Sequence, residues 1–303
     1  MNTNTNYVAV GVDGSPAARS ALLWAVDECR IRRQTLVIAH APDPQDAALL
    51  TGRNTPAFHS LDDVGEQVLR DHAAAASARQ PSVVVTTWLG HSTPADALID
   101  LSAQADLLVV GSQGHGGSVL LRALGSVSDR VAAHAHCPVA IVSDTTPGPG
   151  AARVVVGVSP TYSGRLALQF ALDEARLRDA TLIAVSAMRD QQTEPDPFSG
   201  LDVRALRDGA GLLDELDSLT TSYPDVIIEP TLADTDPATA LLDAARDAQL
   251  VVVGCHHSDD RWSTRLGPVP STIAHRAPCP VVVVGQRRHV AAGSSSAFAT
   301  DFA

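Results

Sequence analysis

The chain has 303 residues, enough for two ordinary domains, with 45% hydrophobic and only 4% aromatic residues and a net charge of −12. All 22 of its basic residues are arginines, which excludes a phosphate-loop lysine and Schiff-base chemistry. The acidic balance argues against a general nucleic-acid binder and against an anionic membrane surface, so neither partner is expected.

The elements follow in chain order. Residues 7–12 form a short apolar run that reads as a buried strand. Residues 16–33 place Ala18, Leu22, Ala25, Val26 and Cys29 at helical spacing. A strand is expected at 35–39, a helix at 60–79, a strand at 83–88, a helix at 94–103, a strand at 107–111, a helix at 126–134 and a last strand at 139–142. Unbroken Val, Leu and Ile runs alternating with helices indicate a parallel sheet covered on both faces.

The unit is then written a second time. "YVAVGVDGSPAARSALLWAVDEC" aligns with "RVVVGVSPTYSGRLALQFALDEA", and "HCPVAIV" aligns with "PCPVVVV". The expected class is α/β, with two tandem doubly wound, five-stranded, mainly parallel sheets flanked by helices. Domain 1 is expected over 1–144 and domain 2 over 153–287. A Pro/Gly-rich linker at 145–152 separates them, and a disordered tail follows at 288–303. The valine-rich last strands of the two units are candidate edges that would cover each other. No signal peptide or long apolar span is recognised, and the four cysteines form no CxxC pair, so the protein reads as cytoplasmic with reduced thiols.

Two strand ends in the first unit carry glycine turns, "GVDGS" and "GSQGHGG". In a doubly wound sheet both flank one crevice. Asp13, between Val12 and Ser15, can accept hydrogen bonds from a sugar or a base. Around Gly111, Gln113 and Gly114, backbone amides can approach phosphate oxygens. The chain returns through Arg122, which can neutralise phosphate charge, to Gly125, Ser126, Val127 and Ser128. Ser126 reads as the N-cap of a helix whose free amides and dipole face an anion. Local physics alone leaves a second reading open, in which the glycines only turn a corner.

The same residues resemble the universal stress protein family, in the tandem form found in actinobacteria. The resemblance covers nearly the whole chain, through "VGVDGSPAARSALLWA", the glycine loop and "GSVSDRVAAHAHCPVAIV". It implies an ATP-binding fold with the signature G-x2-G-x9-G-[ST]. Asp13 would then sit at the nucleoside end, and Gly111, Gly114, Gly125 and Ser126 would cradle the phosphates, with Mg²⁺ as a companion ion. One departure is visible, since ten residues rather than nine separate Gly114 from Gly125. ATP is expected to act as an allosteric ligand that orders the loop, with no catalytic residue and at most weak hydrolysis. The rivals are a nucleotide-free dimeric scaffold and a slow ATPase. The expected partners are ATP, a second copy in a homodimer with intrachain domain pairing, and a protein that the sequence does not identify.

The second copy is an internal control. Ser159 replaces Asp13, His257 replaces Gly114, Pro268 replaces Ser126 and Pro270 replaces Ser128, while Gly254 and Gly267 survive. A bulky residue and two missing amides predict a lost or weakened nucleotide site on an intact fold. Elsewhere, "CHHSDD" reads as a polar loop and "HAHC" as helix capping, rather than metal sites. Asp27–Glu28 and Asp173–Glu174 read as solvated helix edges, and Trp24 and Phe170 as core.

Overall fold

Strands whose residues are apolar at every position can be stable only with both faces covered, and the chain achieves this with one continuous sheet. The computed structural model describes residues 7–42, 61–113, 125–143, 152–159, 161–187, 221–255 and 266–285. The first half runs β1 (Tyr7–Gly11), α1 (Pro16–Arg32), β2 (Thr35–His40), α2 (Leu61–Arg79), β3 (Val85–Leu89), α3 (Pro94–Ser102), β4 (Leu107–Gly111), α4 (Ser126–His134) and β5 (Val139–Val142). The second runs β6 (Arg153–Gly157), α5 (Tyr162–Arg178), β7 (Thr181–Ala187), β8 (Ile228–Ala233), α6 (Pro237–Ala244), a short 3₁₀ turn, β9 (Leu250–Gly254), α7 (Pro268–Arg276) and β10 (Val281–Val284).

The strand order is β3-β2-β1-β4-β5-β10-β9-β6-β7-β8. Each half is a doubly wound set of five parallel strands, and the halves join antiparallel through β5 and β10. The junction pairs Val139 with Val283, Ala140 with Val282 and Ile141 with Val281, so each last strand covers the other's edge. Alternation along the strands assigns the two faces. Val8 and Val10 pack with Leu22, Val26 and Leu69 on the side of α1 and α2, where α5 adds Leu168 and Leu172. Ala9 packs on the other side, where α3, α4, α6 and α7 supply Leu98, Val131, Leu241 and Ile273.

The sheet corrects two expectations. β3 starts two residues later than the sequence suggests, because Val83 turns into the core while Val84 is 63% exposed. The helix edges are only half solvated. Asp27 is half-exposed and pairs with Arg79 at 2.7 Å, but Glu28 and Glu174 are each only 1% exposed. The reason is the packing of α1 against α5 over the junction. Arg32 reaches Glu28 on its own helix at 2.6 Å and also Glu174. Arg178 reaches Glu174 on its own helix and Glu28 at 2.5 Å. Two Glu-x3-Arg pairs at equivalent repeat positions thus close a buried ring of alternating charge. Burial pushes the Glu174 carboxyl up, against the pull of Arg178 and Arg32. Burial also works against the charge on Arg32, but Glu174 and Glu28 overcome it and hold the guanidinium above its ordinary range.

Trp24 and Phe170 are partly buried against the core, and Arg32 lies 5.7 Å from the Phe170 ring centre. None of the described helices is long and apolar enough to cross a membrane. The expected linker lies outside the described residues apart from Ala152, and the expected tail lies wholly outside them.

Candidate nucleotide site

β1 and β4 are sheet neighbours whose connections leave in opposite directions. The crevice beyond their carboxyl ends is therefore the switch point of the first half. Four segments meet there: the β1–α1 turn, the end of β2, the end of β4 and the start of α4.

The β1–α1 turn is tied down residue by residue. Val12 donates its amide to the Ala39 carbonyl at 2.9 Å. The Val12 carbonyl lies 2.7 Å from Nδ1 of the buried His40. Asp13 Oδ1 accepts from the Ser15 amide at 2.9 Å, closing an Asx turn around Gly14, whose φ of 85° favours glycine. Ser15 is buried, and its Oγ accepts from the Ala18 amide at 3.1 Å as the N-cap of α1, with Pro16 following. Ser15 therefore holds the turn, and Asp13 stands half-exposed at its mouth.

The β4 end is fixed by packing. A Cβ on Gly111 would lie 2.9 Å from the Ala17 carbonyl carbon, so only glycine lets α1 start this close to β4. Ser112 donates its amide to the Val142 carbonyl at 2.8 Å, and Gly125 donates to Ser112 at 2.8 Å, which brings the chain back to the crevice. Gln113 is half-buried beside it. Gly114 and Arg122 lie outside the described residues.

At α4 the structure corrects the sequence reading. Gly125, not Ser126, is the N-cap, and no side chain caps the helix. A glycine directly before the serine takes the extended cap conformation and moves Ser126 to the first helical position, where it is exposed. The amides of Ser126, Val127 and Ser128 belong to the turn that has no intrahelical partner. The Ser128 hydroxyl donates to the Gly111 carbonyl at 2.6 Å and fastens this turn to β4. The three first-turn amides, which have no partner within the helix, and its positive end thus stand at the crevice, with Ser126 exposed beside them.

The twin crevice in the second half has the same frame and different contents. Val158 donates to Val185 at 2.9 Å and Cys255 to Val284 at 2.9 Å, matching the contacts of Val12 and Ser112. A Cβ on Gly254 would lie 2.8 Å from the Ser163 backbone, so this glycine, like Gly111, is required by helix packing. Where Asp13 stands in the first half, Ser159 lies 2.9 Å from the Thr161 hydroxyl, which also caps Gly164 at 3.0 Å and lies 3.3 Å from Ser163. Gly267 caps α7, but Pro268 and Pro270 remove two of the three first-turn amides. His257 lies outside the described residues.

Gly111 and its counterpart Gly254 therefore report on packing. The two crevices differ at Asp13, Ser126 and Ser128, where the second half has Ser159, Pro268 and Pro270. His40 is a feature that sequence reasoning missed, because only the β1–β2 register brings it to Val12. Burial pushes the Cys29 and Cys279 thiols up to about 12 and raises Cys255, so these groups are not poised nucleophiles. Among the described residues no group of three or more His, Cys, Asp and Glu side chains is placed to hold a metal. Most of "CHHSDD" lies outside them.

The comparisons with known proteins agree with this architecture. The family model described as "Universal stress protein family" matches residues 5–143 and 151–285. The chain is 34% identical over 290 residues to universal stress protein Rv2623 of Mycobacterium tuberculosis, covering 91% of this chain and 95% of that protein. It is 33% identical over 289 residues to universal stress protein Mb2028c of Mycobacterium bovis, covering 92% and 97%. Among solved structures, a universal stress protein from Archaeoglobus fulgidus superposes with a TM-score of 0.70 at 18% identity, covering 95% of this chain and all of that one.

Proposed function

The chain belongs to the universal stress protein family, and from that premise we propose that it is an ATP-binding regulatory protein of the stress response with its nucleotide site in the first half. The observation that carries this reading is the contrast between the two crevices. One sheet presents the same switch point twice. The first copy keeps a carboxylate at the mouth and three orphan amides at the helix start. The second has a serine in the carboxylate's place and keeps one of those amides. Amides at a helix start match the charge of a phosphate. Asp13 would take the sugar or base end, and Gly125 to Ser128 the phosphate end, with Gly114 and Arg122 completing the cradle. Mg²⁺ would ride on the phosphate oxygens. ATP acts here as an allosteric ligand rather than a substrate. The second half serves as the structural partner that completes the sheet. A cytoplasmic setting and a homodimer fit the same reading.

The test is thermal unfolding of the nucleotide-stripped protein with and without Mg-ATP. A ligand that binds only the folded state at a hundred-fold excess over Kd stabilises it by ~2.7 kcal/mol. Wild type should gain such a shift and the Ser126→Pro variant should not. An identical shift in both proteins would remove the α4 start from the site.

A further inference from the structure

His40 is the last residue of β2 and is only 5% exposed. Its Nδ1 lies 2.7 Å from the Val12 carbonyl. A carbonyl can only accept, so Nδ1 carries the hydrogen and the tautomer is settled by the contact. The ring is held from two further sides. Its own carbonyl accepts from the Gly90 amide at 2.7 Å, which fixes its backbone against the end of β3. On the α2 side, a Cβ at Gly65 would come within 3.2 Å of His40 Cδ2 and 2.6 Å of Leu89 Cδ1, so α2 packs closely over the ring at Gly65.

The consequence falls on the next peptide. Val12 is gripped at its amide by Ala39 and at its carbonyl by His40. A residue held at both its amide and its carbonyl fixes the direction in which the chain leaves the strand, and the residue that follows is Asp13. The second half builds the same strand end without this grip. Val158 keeps the amide bond to Val185, and the residue after Val185 in β7, at the register position of His40, is Ser186. The histidine is missing from the same half that lacks the aspartate and two of the three helix-start amides.

We propose that His40 is a positioning residue for the nucleotide: by donating to the Val12 carbonyl it holds Asp13 where the sugar or base of the nucleotide meets it. The proposal rests on the nucleotide reading above and adds a residue to it. His40→Phe keeps the bulk of the ring and deletes the donor. His40→Asn returns an amide N–H close to the place of Nδ1–H. Binding of AMP and of ATP to the full chain is measured by calorimetry, with urea unfolding of each variant alongside.

His40→Phe should weaken AMP and ATP by the same factor, about ten-fold for one lost orienting hydrogen bond. His40→Asn should recover to within about three-fold of wild type. Ser126→Pro, at the phosphate end, should weaken ATP more than AMP. If wild type binds and His40→Phe binds as tightly, the positioning role is overturned while the nucleotide site stands. The role is also overturned if both His40 variants lose affinity only in step with a fall in urea midpoint, since His40 would then be a core residue. Absence of binding in wild type would overturn the nucleotide reading itself, and this proposal with it.

Discussion

Arg178 Nη2 lies 2.5 Å from Glu28 Oε2, although 150 residues separate them in the chain. Its counterpart is the contact of Arg32 with Glu174, and the i,i+4 pairs on each helix close the ring. Two buried carboxylates and two largely buried guanidiniums make the seam between the halves specific, because each guanidinium has one carboxylate from either helix. Their net contribution to stability is small when all four are present, since desolvation offsets attraction. Removing one partner is different. Glu174→Ala strands two arginines over one carboxylate and should cost about 3–5 kcal/mol. Replacing all four residues with leucine and methionine should be near neutral. Urea unfolding of both variants checks this. A single-site loss below ~1 kcal/mol would mean that water reaches the ring.

The two packing glycines should behave alike. Gly111→Ala and Gly254→Ala each push a methyl group to within 3.0 Å of helix backbone, and overpacking of this kind costs about 1–3 kcal/mol. The pair separates fold from site. Gly254→Ala should lower the unfolding midpoint and leave ATP stoichiometry unchanged. A loss of ATP binding in that variant would place the nucleotide in the second half.

Buried thiols and a buried phenol make the protein sensitive to alkali. Burial pushes Cys29, Cys279 and Tyr7 up to about 12. Between the ordinary thiol range, or for Tyr7 the ordinary phenol range near 10, and that value the folded state keeps protons that the unfolded state has released. Stability therefore falls as pH rises through this window, by up to ~1.4 kcal/mol per pH unit for each group. Urea midpoints taken from pH 8 to pH 11 should decline steadily. The four cysteines, all buried, should resist a thiol reagent in the native state and react together on unfolding. Rapid labelling of the native protein would contradict the packing of both sheet faces.

Much of this architecture is legible in the residues. Runs such as "LVVVG" can only be strands buried on both faces, and the repeat places the second set of strands once the first is found. The valine edges announce the β5–β10 junction for the same reason. What stays hidden depends on tertiary neighbours. Glu28 and Glu174 look solvated because a Glu-x3-Arg pair on a helix is ordinarily a surface pair. Their one signal is recurrence at equivalent repeat positions. Ser126 looks like a cap because serine favours caps, yet the glycine before it takes that place and leaves the hydroxyl outside. His40 carries no local signal at all, since a histidine at a strand end gains meaning only when the register sets it against Val12.

The most direct measurement is calorimetric titration of ATP into the nucleotide-stripped full chain, with Ser126→Pro beside it. Proline is tolerated at a first helical position, and Pro268 occupies the equivalent place in the second half, so this variant should keep its fold. One site per chain, with ATP clearly weakened in the variant, is the result expected of a nucleotide switch in the first half with a silent twin. Two sites per chain, or one site whose ATP affinity the substitution leaves unchanged, would contradict the account.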